Sequence, residues 1–492
     1  KNLGAERSDL EQLMGYIDRK SVSRQQVPGL LKQAYARLRK LRSTLSDFAE
    51  LSVGNAEMTG LVQHVDSAIQ PGDMFSFDNA LQALAVIYRR YAKQDDASES
   101  VATIFEMQAL IAAARLEHHD AAELYSEAAM VPGLSTELQW QHQKERALVL
   151  ADLGQEFGDN SSLEQAISLL ENEILELVPP KQLPADWATT KHVLGNVLGI
   201  LGQRQGGTRN LENSIAAFQA SLSKRDRQQE PIQWAETQNS LGNALGIFGL
   251  RVGDEDILCK SIEAFEHALE QRTRDSAPQD WATTQNNLAA VLQSLGQRNK
   301  DARMLKRSVE AYKEVLQEWT RERVPLDWAT TMNNLGTALR LLGEHRKGPR
   351  TLEQSVAAYN SALAERNRER LPQEWAMTQN NLGAALHKLA EREENDEMFK
   401  RAIVAYENAL KEWTRERLPM AWGMTMANLA VVRRAFAEHT EDIGSARKAV
   451  EELEAVSEIF RSASHAQYSE LSIDQLAKAR KLVDALAGVQ HA

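Results

Sequence analysis

Trp281 opens the stretch WATTQNNLAAVLQSLG, and 47 residues later Trp328 opens the similar stretch WATTMNNLGTALRLLG. In both stretches leucines follow 7 and 11 residues after Trp, which places them on one face of a helix. The same interval separates seven tryptophans: Trp140, Trp187, Trp234, Trp281, Trp328, Trp375 and Trp422. The other two, Trp319 and Trp413, are separated by twice that interval. A fixed period of this kind predicts an array of stacked helical units.

The rest of each unit also recurs, and we number positions by their distance after Trp. Glycine recurs at position 15: Gly202, Gly249, Gly296 and Gly343. We predict that it ends the first helix as a C-cap. An aromatic residue recurs at position 31, in a second helix: Phe218, Phe265, Tyr312, Tyr359 and Tyr406. Proline recurs at position 44, and Asp precedes Trp in three copies, where we predict an N-cap. Each unit therefore reads as helix A, a loop, helix B and a Pro turn.

Composition limits the class of protein. The 492 residues are 43% hydrophobic, which is enough to form a core, and the formal net charge is −12. That charge disfavours binding to nucleic acid or to an anionic membrane. A single cysteine, Cys259, excludes an internal disulfide and favours a reducing compartment. Without a long apolar run or an apolar leader, we expect a cytoplasmic protein, and the start at Lys1 suggests a fragment.

The units resemble tetratricopeptide repeats. The resemblance rests on the Asn334–Leu339 segment (NLGTAL) of helix A and on Tyr359, Ala362 and Leu363 of helix B. The unit is longer than the usual 34 residues, as in the long repeats of kinesin light chains. The resemblance implies an all-α, right-handed α-solenoid of helix-turn-helix repeats. We predict a non-repeating helical region over 1–94, a short capping pair over 95–135, seven long repeats over 136–462, and a capping helix over 463–492.

The resemblance also implies that helices A line a concave groove, with positions 2, 5, 9 and 12 facing a ligand. Three of these positions supply the candidate binding residues: His192, Asn239, Asn286, Asn333 and Asn380 at position 5, Asn196 and Asn243 at position 9, and Gln293, Arg340, His387 and Arg434 at position 12. We expect a polar groove that becomes basic towards its C-terminal end.

The asparagines at position 5 admit two interpretations. An amide both donates and accepts hydrogen bonds, so a series of amides could clamp the backbone of an extended peptide. Alternatively, these residues join the second asparagines of each pair, such as Asn287 and Asn334, in a network between helices. Both interpretations stay open at this stage.

Two further periodic features have structural explanations that we favour. We expect each Trp to begin helix A and to pack on the end of the preceding helix B. Arginine recurs at position 40: Arg227, Arg274, Arg321, Arg368 and Arg415. We favour a role for it at the C-terminus of helix B, where cations complement the helix dipole, over an anion-binding ridge. For the basic segment Arg37–Arg42 (RLRKLR), we favour the face of an amphipathic helix over contact with an acidic partner.

The sequence contains no Walker loop, GxSxG elbow, HExxH or CxxC motif, so we expect no enzyme activity, cofactor or metal in this chain. We interpret His118–Asp120 as polar surface. The favoured function is a scaffold or sensor whose groove binds a protein or extended peptide. The alternative is a regulatory or assembly arm of a larger bacterial signalling or defence enzyme, with the catalytic domain elsewhere. Homo-oligomerisation through the N-terminal region is a further expectation.

Overall fold

The computed structural model describes residues 27–51, 56–68, 76–91, 97–462 and 466–489, and within these ranges every regular element is a helix. The chain divides into two compact units, with the boundary between Arg272 and Thr273.

The first unit begins with helices that do not follow the 47-residue period. These are α1 (Val27–Leu51), α2 (Ala56–Ala68), α3 (Ser76–Tyr91), α4 (Ser98–Ala114) and α5 (His118–Ala129). Leu41 and Phe48 of α1 share a core with Ile87 of α3 and Ile104 of α4. Helices α1, α2 and α3 all lie within the stretch 1–94, for which the sequence predicts helices without the repeat. The predicted domain boundaries at residues 94, 135 and 462 stay a prediction. Residues 1–26 of the N-terminal region lie outside the described ranges.

Three long helix pairs complete the first unit. The first pair is α6 (Thr136–Phe157) with α7 (Asn160–Leu169), which continues through a π-helical turn (Leu170–Ile174) into α8 (Leu175–Leu177). The second pair is α9 (Pro184–Arg204) with α10 (Arg209–Leu222), and the third is α11 (Pro231–Val252) with α12 (Glu255–Leu269).

The second unit consists of four pairs and a final helix. The pairs are α13 (Pro278–Arg298) with α14 (Ala302–Glu318), α15 (Pro325–Glu344) with α16 (Arg350–Glu365), α17 (Pro372–Glu393) with α18 (Asp396–Ala409), and α19 (Pro419–Thr440) with α20 (Ile443–Ser462). Helix α21 (Ala466–Val489) packs on α20. The prediction of an all-α fold of paired helix-turn-helix repeats, stacked as in a tetratricopeptide-like solenoid, is confirmed.

Proline, and not tryptophan, begins helix A. From α9 onward each helix A starts at the proline that was assigned to a turn, and Trp is the fourth residue. Proline suits the first helical position because its missing N–H would have no partner there and its φ is already helical. The predicted Asp N-caps are therefore wrong. Asp186, Asp280 and Asp327 lie inside the first turn, where a negative charge complements the helix dipole.

The glycines at position 15 also have a different role from the predicted C-cap. Gly202, Gly249, Gly296 and Gly343 all lie within helix A. A Cβ atom at Gly343 would lie 2.8 Å from the side chain of Leu352 in helix B. The glycine is required because the two helices approach closely where they are joined, and not because of its backbone conformation.

Position 8 of helix A is a second point of close approach. A Cβ atom at Gly336 would lie 2.8 Å from the ring of Tyr359, the position-31 aromatic, which is completely buried. One turn earlier in helix B, Ser355 donates a 2.6 Å hydrogen bond to the carbonyl oxygen of Gly336. Ser214, Ser261 and Ser308 make the equivalent bond in their own repeats, at 2.6–2.7 Å. The A–B pair is thus fixed by ring packing and by one buried side-chain bond.

We expect Gly336→Val to destabilise the second unit by roughly 1–3 kcal/mol, because the added methyl groups overlap the Tyr359 ring. Valine is the informative change, since Ala289 already occupies this position in the preceding repeat. Urea denaturation followed by circular dichroism measures the change. The matched control is Gly348→Val, in a loop with no atom within 4 Å of its Cβ position. Equal denaturation midpoints for the two variants would contradict the packing argument.

Candidate ligand-binding face of the A helices

Within each unit, consecutive A helices contact one another more extensively than consecutive B helices do, so the A helices form the closely spaced layer. The residues at positions 2, 5, 9 and 12 of these helices are called the A-helix face below. All candidate binding residues predicted from the sequence lie on A helices.

His192, the first residue of the position-5 series, is buried and connects two A helices. Its Nδ1 lies 3.1 Å from Thr237 Oγ1, and its Nε2 lies 3.0 Å from Asn196 Nδ2. The Thr237 hydroxyl already donates to the carbonyl oxygen of Gln233. His192 therefore donates through Nδ1 and accepts at Nε2, which is a neutral tautomer. Burial, together with the nearby Arg225 and Arg272 charges, lowers the pKa of His192 to about 4.

The asparagines at position 5 take the place of His192 in the second unit. Asn286 Oδ1 lies 3.5 Å from Thr331 Oγ1, and Asn380 Oδ1 lies 3.2 Å from Thr425 Oγ1 of the following helix A. Asn333 is only 3% exposed and accepts a 3.2 Å hydrogen bond from Asn381 Nδ2. These contacts support the network between helices. A ligand-binding role for Asn286, Asn333 and Asn380 stays a prediction.

Asn239 differs from the other members of the series within the described residues. Its Oδ1 is buried and has no hydrogen-bond partner there, although the residue itself is only half-buried. Gln293, at position 12, likewise holds a buried Oε1 without a partner in the described part of the chain. Both side chains thus place on the A-helix face an amide oxygen that accepts no hydrogen bond from the described residues.

The basic residues at position 12 do not make the A-helix face basic. Each pairs with a glutamate four residues later on the same helix: Arg340 with Glu344, His387 with Glu391 at 3.1 Å, and Arg434 with Glu438 at 3.0 Å. Hydrogen bonding from His387 lowers the pKa of Glu391 to about 2. The expectation of a basic C-terminal groove is therefore wrong, because the sequence reading counted the cations without the carboxylates one turn away.

One opening on this face lies in the first unit. A cavity of about 340 Å³ lies among α6, α9 and α11, and Asn196 and Asn243 line it. Asn196 is exposed and Asn243 is half-buried. In the second unit, position 9 carries Thr337 and Ala384, and the Thr337 hydroxyl is bonded to Tyr359 at 2.9 Å. Asparagine at position 9 is thus a property of the first unit, and Asn196 is its exposed member.

The arginines at position 40 lie beyond the end of helix B, so the helix-dipole interpretation is wrong. The Arg321 guanidinium lies 5.8 Å from the ring centre of Trp328 and pairs with Glu365 at 2.6 Å. Arg227, Arg274 and Arg368 repeat this arrangement on the next Trp and on a glutamate at the end of the next helix B or just beyond it. The four tryptophans beneath these arginines are half-buried. Packing of Trp on the preceding helix B stays a prediction.

Sequence reasoning missed the side chains at position 38. Arg366 is 3% exposed and donates to Thr330 at 2.8 Å and to Thr378 of the following helix A at 3.0 Å. Burial lowers its pKa. Trp319 and Trp413 hold the same position and donate to Gln279 and Gln373. The signal was present in the sequence, because the interval between these two tryptophans is twice the repeat length.

Two other segments were interpreted differently from the sequence. Arg37 donates a 2.5 Å hydrogen bond to Asp152 of α6, and Lys40 lies 3.1 Å from Glu106 and 3.2 Å from Glu145. The basic segment thus contacts acidic residues of its own chain. His118 is buried, not on the surface, and its Nε2 lies 3.3 Å from Glu156.

We expect the Arg321–Trp328 contact to contribute about 0.5–1 kcal/mol, the range for exposed cation–π pairs. A double-mutant cycle with Arg321→Met and Trp328→Leu measures it as a coupling energy from urea denaturation. The Arg321→Met/Glu365→Gln cycle is the control for the ion pair. Additive effects in the first cycle would show that the ring and the guanidinium do not interact.

His192 should make the first unit sensitive to acid. Its pKa is lower in the folded chain than the ordinary 6.5, so protonation favours unfolding. The stabilising contribution is complete above pH 6.5 and is lost as the pH falls towards 4. Glu236, 3.8 Å away, is the facing carboxylate. His192→Asn, which copies the other repeats, should give a flatter stability profile over this range in thermal melts. His119→Asn, at an exposed position, is the control and should leave the profile unchanged.

Comparison with protein families gives a match to "Tetratricopeptide repeat" over residues 281–318 and 375–412, which are the pairs α13–α14 and α17–α18. Comparison with curated protein sequences gives no match. In the described ranges, none of the helices is long and apolar enough to cross a bilayer.

Several solved structures are similar to this chain. A signal transduction ATPase with numerous domains (STAND) protein with a tetratricopeptide repeat sensor, from Pyrococcus horikoshii, is 14% identical with a TM-score of 0.51. The match covers 91% of this chain and 62% of that one. BtubC (BKLC) from P. vanneervenii is 20% identical over 52% of this chain and 92% of its own, with a TM-score of 0.37. A Rap protein complexed with competence and sporulation factor is 13% identical over 82% and 99%, with a TM-score of 0.40.

The family match falls on two of the long units, and the remaining long units share their period and their A–B packing. Residues 281–318 and 375–412 are therefore tetratricopeptide repeats of the kinesin light chain type, and the other long units share their period.

Proposed function

We propose that this chain is a scaffold or sensor that binds a partner protein or an extended peptide on its A-helix face. Tetratricopeptide-like repeats typically serve protein binding. The observation that carries the proposal is the cavity among α6, α9 and α11, which is lined by Asn196 and Asn243 at equivalent positions of consecutive repeats. We propose a binding role without catalysis.

The spacing of these amides suits an extended chain. Packed helices lie about 8–10 Å apart, and an extended peptide advances about 3.3 Å per residue. Asn196 and Asn243 would therefore contact ligand residues about three apart. Because an amide both donates and accepts, each could pair with a backbone N–H and C=O. Contacts of this kind give affinity with little dependence on the ligand's sequence.

We expect Asn196→Ala/Asn243→Ala to abolish capture of the partner without unfolding the array, since both side chains lie on an open surface. Affinity capture from a lysate of the source cells, followed by mass spectrometry, compares wild type with this variant. The control is Glu212→Ala/Glu263→Ala, at exposed positions of helices B. Proteins retained by wild type and control but lost from the groove variant support the proposal. Equal capture by all three forms, or none by any, overturns it.

The Asn286→Ala/Asn333→Ala variant tests a different point. Both residues take part in the network between A helices, so the variant should lower the thermal stability of the second unit. Loss of binding with unchanged stability would instead assign these residues to the ligand.

A second proposal is that the chain is the regulatory or assembly arm of a larger signalling or defence enzyme. The STAND protein from Pyrococcus horikoshii, which has the same fold, is described as carrying a tetratricopeptide repeat sensor and is longer than this chain. The full reading frame discriminates the two proposals. A nucleotide-binding or other catalytic domain encoded beside these residues would favour the second.

A further inference from the structure

Glycine at position 12 distinguishes the first unit from the second. Gly199 and Gly246 occupy this position where later repeats carry Gln293, Arg340 and His387. A Cβ atom at Gly199 would meet only the Ser214 hydroxyl, at 3.2 Å. At Gly195, one turn earlier, a Cβ atom would lie 2.7 Å from the Phe218 ring. Helix packing therefore requires Gly195 far more strictly than Gly199, and the missing side chain at Gly199 opens the cavity.

The cavity has an apolar floor and a rim of amides. Among the lining residues, Val197 is buried and Ile200 and Ile247 are half-buried, and these supply the apolar floor. The exposed Gln155 and Gln203 join the two asparagines at the rim. Its volume of about 340 Å³ is at the lower end of the range for ligand pockets, about 300–1,000 Å³. An apolar floor beneath amide groups suits a peptide segment that inserts an apolar side chain while its backbone hydrogen-bonds to the rim.

The charge of the cavity is set by a residue from outside the long repeats. Asp152 is the ionisable residue among those that line it. Arg37 of α1 pairs with Asp152 at 2.5 Å and also donates to the carbonyl oxygen of Ala113 at 2.7 Å. The Arg37 side chain is mostly buried, so solvent screens this pair only weakly. The α1 helix thus cancels the one negative charge that a ligand would meet.

We propose that the cavity at Gly199 is a binding subsite for an uncharged peptide segment with an apolar side chain, and that Arg37 is the residue that excludes cationic ligands from it. The inference rests on the proposed function and assigns that function a place and a ligand class. A side chain at position 12 closes the subsite, and an unpaired Asp152 changes its charge preference.

The test uses a phage-displayed library of random dodecapeptides, selected on the full chain. The enriched peptides are synthesised, and their Kd is measured by fluorescence anisotropy. We expect peptides that carry no net charge and share an apolar residue. Gly199→Gln, which copies Gln293, should weaken their binding at least tenfold. The control is Gly206→Gln in the same unit, where no atom lies within 4 Å of the Cβ position, and it should leave the Kd unchanged.

A second pair of variants tests the charge argument separately. Arg37→Met should shift the selected peptides towards those with Lys or Arg, and Arg37→Met/Asp152→Asn should restore the uncharged selection. Thermal melts verify that each variant is folded. If Gly199→Gln unfolds the first unit, the Arg37→Met and Arg37→Met/Asp152→Asn variants test the subsite instead. Peptides that bind equally well to Gly199→Gln, or an unchanged selection on Arg37→Met, overturn the subsite but leave the proposed function standing. Failure to enrich any peptide contradicts both.

Discussion

The close approach of helix A to helix B at positions 8 and 31 is the constraint on which the rest of each repeat depends. A Cβ atom at Gly336 would lie only 2.8 Å from the Tyr359 ring, and the Ser355 hydroxyl donates to the carbonyl oxygen of Gly336. Both partners are buried, so a shift of either helix would expose a polar group or separate packed surfaces. The pair therefore behaves as one rigid element whose outer surfaces are free to vary.

Contacts between repeats are of a different kind. They use hydrogen bonds of buried threonines with His192 or Asn380, arginines stacked on Trp, and buried guanidinium groups such as that of Arg366. The strength of these contacts depends on the orientation of the groups more than on the area they bury. They therefore fix the position of one repeat relative to the next. They also occupy the position-5 side chains that would otherwise be the obvious ligand contacts.

Periodicity in the sequence was sufficient to predict the fold and the alignment of one repeat with the next. The reason is that the same packing contacts recur once in every repeat. Periodicity could not predict the role of a residue where that role depends on the side chains that it contacts. Gly343 has the spacing of a helix cap, but its small size matters because the Leu352 side chain packs against it. Arg340 looks like an unpaired cation in the sequence, but it pairs with Glu344 one turn later. Asn333 and Asn196 are both hydrogen-bonded asparagines of helix A, yet Asn333 is buried between helices and Asn196 is exposed at a cavity. Distinguishing them required the positions of neighbouring helices.

Recognition in a repeat array must come from departures from the period, since identical repeats would present the same surface at every step. The departures here are concentrated in the first unit: glycine at position 12, amides at position 9, and a neutralising arginine supplied by α1. None of these departures replaces the A–B contact of Gly195 with Phe218, two residues that also line the cavity. Because Asn196, Asn243 and Arg37 are not part of that A–B contact, these side chains can change the ligand preference of the cavity with little cost to the fold.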